Sequence, residues 1–251
     1  METTFAPFVA VLAAYLLGSV PFALVSSKMF RLADPRSYGS GNPGATNVLR
    51  SGNKKAALVT LIGDALKGWV AVFTAQRLGF GDTVIGFVAL AVFFGHLFPV
   101  FLRFKGGKGV ATGAGVLLAL DPLLGLAVAG TWLFVAFAFR YSSLAAVLAA
   151  ALAPVYQVLM HGGNGQTLVV GVLALALIGK HWQNLQRLLA GKETRIGSKS
   201  TDAGDRRHLT AASGIEKPIT RIATIDWRNS DTAPRLNSSD RHDLHSALRA
   251  P

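Results

Sequence analysis

The groups best suited to hold an anion lie in Gly39-Ser40-Gly41-Asn42-Pro43-Gly44-Ala45-Thr46-Asn47-Val48-Leu49-Arg50. Three glycines leave this backbone bare, so amide N–H groups can turn inward as they do in anion-binding nests and at helix N-termini. Ser40, Asn42, Thr46 and Asn47 add short donors, and Arg50 adds a fixed positive charge. A phosphate or a carboxylate suits such a loop. A tight surface turn rich in Gly, Asn and Pro has the same composition.

Two later stretches share its character. Arg103-Phe104-Lys105-Gly106-Gly107-Lys108-Gly109 is a second cationic loop with bare backbone, and it opens a helix at Val110. Walker A spacing fails there, because Leu102 stands where the first glycine is needed and Gly109 replaces the Ser or Thr; the loop therefore speaks against a nucleotide triphosphatase. The third stretch runs from Lys180 to Thr194, where His181, Asn184 and Arg187 recur every three residues and share one stripe of a helix. A helix end whose polar tips reach for water has the same pattern.

The elements that carry these loops belong in a membrane. The 251 residues are 51% apolar and only 15% charged, with a mean hydropathy of +0.42, too apolar for an ordinary soluble domain of this length. Residues 1–197 hold 16 Lys or Arg against six acids, Glu2, Asp34, Asp64, Asp82, Asp121 and Glu193. A net charge of +12 raises nucleic acid as a partner, but Lys and Arg collecting at the cytoplasmic ends of spans and meeting anionic headgroups account for it without one. Cysteine is absent, which removes disulfides, thiolate nucleophiles and Cys-based metal sites. No residue set calls for a metal or a cofactor.

Apolar runs and charge asymmetry predict an all-α, polytopic integral membrane protein of about seven transmembrane helices, with the N-terminus outside and the C-terminus cytoplasmic. The first span covers residues 5–27, and only Glu2 precedes it, whereas Lys28, Arg31, Arg36, Arg50, Lys54 and Lys55 follow. The second runs from about Ala56 to Gln76 and places Asp64 and Lys67 three apart on one helical face, as a structural ion pair or a group lining a wet cavity. The third covers roughly 83–102. The fourth is short, about 11 apolar residues before Asp121-Pro122; a single crossing over 109–139 would put every later basic cluster outside, against the positive-inside pattern. The fifth covers 123–139, the sixth about 143–160 and the seventh about 167–185, joined by an outer turn at His161-Gly162-Gly163-Asn164-Gly165. The chain thus divides into a transmembrane domain over 1–197 and a polar tail over 198–251. The tail mixes both charge signs, has no run able to bury a core, and reads as a disordered cytoplasmic extension.

The three stretches together resemble the three motifs of the bacterial acyl-phosphate:glycerol-3-phosphate acyltransferase family (PlsY). The likeness extends to Gly18-Ser19-Val20-Pro21, to Asp64 with Lys67-Gly68, to Gly95-His96 with Pro99, and to Arg140-Tyr141 before Ser143, and it covers residues 1 to about 197. It implies transfer of a fatty acyl group from acyl phosphate to the sn-1 hydroxyl of glycerol 3-phosphate. The products are lysophosphatidic acid and phosphate, with the site on the cytoplasmic face of the bacterial inner membrane. It further implies that Ser40, Arg50 and Lys108 hold phosphate and that His181 and Asn184 orient the acyl phosphate or the attacking hydroxyl. Gly41, Asn42, Thr46, Asn47, Gly107, Ser143 and Arg187 line the same pocket by that resemblance, and the partners are the two substrates and the lipid bilayer.

Two rivals fit parts of the pattern. A small-anion transporter also aims helix ends and basic loops at its substrate, but such proteins bind near the bilayer midplane, and these candidates cluster at one face. A non-catalytic lipid-binding scaffold is the other. As for the acyl donor, acyltransferases that use a protein base commonly carry a His with an Asp five residues on. Here that position holds Phe101, Gln166, Gln186, Ser213, Ala247 or Ala250. A preactivated donor is therefore expected, with either His181 or the donor's own phosphate taking the proton.

Overall fold

The structure, a computed structural model, describes residues 5–197; the tail expected over 198–251 lies outside the described residues. The first apolar run is broken in two. Helix α1 (Ala6–Gly18) and helix α2 (Phe22–Met29) meet at 44°, because Pro21 has no N–H to continue the ladder and disfavours helical geometry at Val20. A 3-10 turn at Pro35–Ser37, capped by the Asp34 carboxylate accepting from the Arg36 N–H, leads into the one-turn helix α3 (Ala45–Leu49). Helix α4 (Lys54–Arg77) starts at Asn53, whose side chain accepts from the Ala56 N–H. Helix α5 (Asp82–Leu97) stops before Pro99, five residues earlier than the apolar run predicts, and the chain turns through Val100–Leu102.

Helix α6 (Val110–Leu120) has the predicted 11 residues, and Asp121-Pro122 turns the chain into helix α7 (Pro122–Phe139). Asp121 accepts from the Leu123 and Leu124 N–H groups while Pro122 occupies the first turn, a combination that starts a helix and ends its predecessor. Helix α8 (Ser142–His161) returns, and α9 (Gly165–Lys180) begins with a reciprocal capping box between Asn164 and Thr167. The expected seventh span is not continuous: α9 ends at Lys180, and α10 (Trp182–Leu189) leaves it at 57°, so His181 stands at the break and not on a straight stripe with Asn184 and Arg187.

Among the described residues, four helical stretches, α4, α5 with its continuation to Leu102, α7 and α8, are long and apolar enough to cross a membrane; each of the two bent pairs adds one more if taken as a single span, and α6 is shorter. The outside of the bundle is apolar, with Phe8, Phe134, Phe137 and Leu175 exposed, which is the surface a lipid-facing protein presents. Inside, small residues let helices approach closely. A Cβ on Gly115 of α6 would lie 1.9 Å from the Ala65 carbonyl of α4, and one on Gly68 of α4 would lie 2.4 Å from the Thr112 carbonyl of α6. Association in lipid relies on such backbone contact, because apolar side chains gain little by leaving an apolar solvent.

One ionic cluster is buried among these helices. Lys67 Nζ lies 2.8 Å from Asp64 Oδ1 and donates to the Val20 carbonyl at 2.8 Å, while His96 Nδ1 approaches the same carboxylate at 3.4 Å. The Asp64–Lys67 pair read from the spacing thus has a third member from α5. The cluster sits behind the Lys108 loop, since the Gly107 N–H donates to the His96 carbonyl at 3.1 Å and a Cβ on Gly107 would lie 2.2 Å from His96 Nε2.

Candidate active site

Asn47 organises the first glycine loop from beneath. Its buried amide accepts from the Ser40 N–H (3.0 Å) and hydroxyl (3.2 Å) and donates to the Pro35 (2.6 Å) and Tyr38 (3.2 Å) carbonyls. Gly39 makes room for it: at φ +58° this residue adopts a left-handed turn, and a Cβ there would lie 2.4 Å from Asn47 Oδ1. Gly41 and Asn42 close the same turn, the Gly41 N–H donating to Tyr38 and the Asn42 carbonyl accepting from Gly44. Asn47, Gly41 and Asn42 therefore shape the loop, and Ser40, Thr46 and Arg50 stand on it.

The other two stretches converge on this loop at one end of the bundle. Lys108, at the N-terminal end of α6, donates to Asn184 Oδ1 of α10. Asn184 in turn donates to Glu193 Oε1 at 2.6 Å, Ser143 of α8 donates to the same oxygen at 2.7 Å, and Arg187 Nε donates to Glu193 Oε2 at 2.8 Å. Arg50 reaches the next residue, donating to Thr194 Oγ1 at 2.6 Å, and Thr46 and Ser142 hydroxyls meet at 3.2 Å. Residues 193–196 thus lie across the site, fastened at the far end where Ile196 N donates to the Arg140 carbonyl at 2.6 Å.

Charge explains how the cluster holds together. Burial pushes the Lys108 amine down to about 8, Arg187, Arg50 and Lys180 push the same way, and Glu193 opposes them. Burial tends to raise Glu193, yet hydrogen bonds from Ser143, Asn184 and Arg187 outweigh it and hold the carboxyl below its ordinary range. An anion is already at home where these donors meet. His181 is buried, and its Nδ1 lies 2.9 Å from the Leu177 carbonyl; a carbonyl only accepts, so the hydrogen is on Nδ1 and a neutral ring keeps Nε2 as a free acceptor.

Of the predicted residues, Ser40, Arg50, Thr46, Lys108, Ser143, Asn184 and Arg187 take part in the contacts that join the three stretches or in the loop that carries them, and His181 stands at the hinge of α9 and α10. Gly107 differs, because its N–H is committed to His96 and is not offered to an anion. Sequence reasoning missed Glu193 and Thr194 as members of the site. Glu193 carries a signal: it is the sole acid between residues 122 and 197, surrounded by Lys and Arg.

An apolar cavity of about 280 Å³ begins one helical turn from this cluster. Its walls include Val110 and Ala111 just beyond Lys108, Ala146 one turn beyond Ser143, and Leu177, whose carbonyl meets His181. The ends of α6, α8 and α9 beside Lys108, Ser143 and His181 therefore lead into greasy walls.

Comparison with known proteins decides the family. The profile of the family described as glycerol-3-phosphate acyltransferase matches residues 8–191. The chain belongs to that family. Among its relatives, the glycerol-3-phosphate acyltransferase of Dechloromonas aromatica (strain RCB) is 81% identical over 191 residues, covering 76% of this chain and 96% of the relative. That of Cupriavidus taiwanensis is 64% identical over 192 residues, covering 75% and 95%. The crystal structure of PlsY (YgiH), an integral membrane glycerol 3-phosphate acyltransferase, in its glycerol 3-phosphate form superposes with a TM-score of 0.73 at 38% identity, over 76% of this chain and 96% of that one. Its lysophosphatidic acid form gives 0.71 at 37% identity. This acyltransferase is accordingly a multi-pass membrane enzyme, and about a quarter of the chain has no counterpart in these relatives.

Proposed function

We propose that the enzyme transfers a fatty acyl group from acyl phosphate to the sn-1 hydroxyl of glycerol 3-phosphate, giving lysophosphatidic acid and inorganic phosphate, as the opening step of bacterial phospholipid synthesis. The observation that carries this reading is a cationic cluster beside an apolar cavity: Lys108, Arg50 and Arg187 bond to Asn184, Thr194 and Glu193, and the cavity wall starts at Val110, two residues from Lys108. Both substrates bear phosphate and one bears a tail, so the two halves of the site match the two chemistries.

The site residues supply position and charge. Ser40, Arg50 and Lys108 hold phosphate, with Thr46 and Asn47 maintaining the loop, and Arg187 and Ser143 hold the strap residue Glu193. His181 and Asn184 orient the acyl phosphate or the hydroxyl. The sn-1 oxygen attacks the acyl carbon, a carbon–oxygen bond forms, and the bond from that carbon to the phosphate oxygen breaks. Lys108 and Arg50 compensate charge on the departing phosphate, and the hydroxyl proton passes to a phosphate oxygen or to His181 Nε2. The cluster faces the cytoplasm of the inner membrane in this reading.

Purified enzyme in detergent, given palmitoyl phosphate and glycerol 3-phosphate without nucleotide, is expected to form lysophosphatidic acid and one phosphate per turnover. Palmitoyl coenzyme A is expected to be a poor donor. Equal or faster turnover with the thioester overturns the donor assignment and leaves the acyl transfer standing; absence of turnover with either, in a solution lacking a second compartment, favours the transporter or scaffold.

A further inference from the structure

The cavity wall on α8 leads towards a buried polar side chain. On α8 its wall is an alanine stripe, Ala146, Ala149, Ala150 and Ala153, which continues on the same helical face to Gln157. Gln157 is fully buried, and neither its Nε2 nor its Oε1 has a hydrogen-bond partner. An unpaired amide in such surroundings is costly, and polar side chains at membrane depth usually have a task. The cluster proposed for acyl transfer lies one turn from the opposite end of this stripe and gives Gln157 nothing to do.

Depth suggests what the task is. Along α8, Ser143 and Ala153 are separated by about 15 Å and Ser143 and Gln157 by about 21 Å at 1.5 Å per residue. One leaflet of hydrocarbon is about 15 Å deep, half of the roughly 30 Å core. A tail that enters beside Ser143 and runs down the alanine stripe therefore reaches Ala153 after about the length of a membrane lipid's own chain, and meets an amide one turn later. Alanine leaves room for methylenes; the lining from α8 stops at Ala153, and Gln157, one turn beyond, is bulkier and polar.

We infer that Ala153 and Gln157 form the floor of the tail chamber and set the longest acyl chain the enzyme uses efficiently. The inference rests on the acyl-transfer reading above and adds a length to it. Interiors are closely packed, so the three carbons that leucine adds to alanine displace about three methylenes of a bound chain. Each methylene excluded from apolar surroundings costs about fourfold in kcat/KM. Removing the Gln157 side chain opens a comparable space at the other side of the floor.

The test measures kcat/KM for acyl phosphates of graded length, with glycerol 3-phosphate saturating, on the full chain in detergent. Ala153→Leu is expected to shift the optimum to shorter chains by about three carbons. Gln157→Ala is expected to shift the optimum to longer chains. Opposite shifts from neighbouring positions are not produced by a general loss of stability. A chain-length profile of unchanged shape in both variants, scaled or unscaled, overturns the inference while wild-type turnover keeps the acyl-transfer reading; a wild-type enzyme that acylates nothing at any chain length overturns both.

Discussion

At the scale of single residues, the proposed site gathers cations in a half-buried place. Lys108 is the one whose charge is conditional: below about 8 it is an ammonium, and above that a neutral amine that cannot compensate phosphate. Phosphate binding draws its pKa up again, so the dependence belongs to the free enzyme. We expect kcat/KM to fall as pH rises through about 8, and Lys108→Arg, whose guanidinium stays charged, to carry the decline to higher pH. The same profile in Lys108→Arg as in wild type would show that another group governs it. Charge-assisted hydrogen bonds are worth about 1.5–3 kcal/mol each, so Lys108→Ala and Arg50→Ala should lose roughly 10- to 150-fold in kcat/KM while remaining inserted and monodisperse. Lys54→Ala, at the exposed start of α4, should lie within about twofold of wild type, as surface changes usually do.

At the scale of elements, the polar loops are held by helices that touch through their backbones. Helix α4 carries the Asp64–Lys67 pair, α6 carries Lys108, and Gly115 with Gly68 brings the two within contact distance. A methyl group at Gly115 has a carbonyl in its way, so Gly115→Ala must separate the helices and tilt Lys108 away from Asn184. We expect it to lower stability by about 1–3 kcal/mol, the range for overpacking, and to reduce activity with it. Gly171→Ala is the control: it lies within α9 with nothing within 4 Å of the added carbon, and it should be neutral or stabilising by up to about 1 kcal/mol. Thermal unfolding of the two variants in detergent decides, and equal midpoints would remove close packing from the account of how Lys108 is positioned.

For the molecule as a whole, orientation is the open structural proposal. Seven crossings follow if each bent pair is one span and the 11-residue α6 counts as a crossing, with the polar cluster inside and the His161–Asn164 turn outside. The chain has no cysteine, so single cysteines at Ser51, Ser142 and Lys192 can be probed one at a time. They are expected to react with an impermeant maleimide only from the cytoplasmic side, and one at Gly163 only from the outside. Labelling of position 192 from outside would sink the seven-crossing arrangement. The break at His181 gives this experiment its value, because a helix that turns by 57° can leave α10 along the surface and return residues 193–196 over the site.

Apolar run length, charge asymmetry and helix punctuation are local properties, and the sequence by itself determined what depends on them. It specified an all-helical membrane protein, the short helix ending at Asp121-Pro122, and three polar stretches of anion-binding character. Contact between distant residues is not local, and only the tertiary structure decided it. Spacing placed His181, Asn184 and Arg187 on one stripe, but the bend after Lys180 sends them to different partners. Glu193 reads as a tail-end acid until folding sets it against Ser143, 50 residues away in sequence. Gln157 reads as one polar residue near the end of an apolar helix until packing buries it beyond an alanine-lined chamber. In each case the periodicity of a helix says which residues share a face, and only the neighbouring helices say what that face meets.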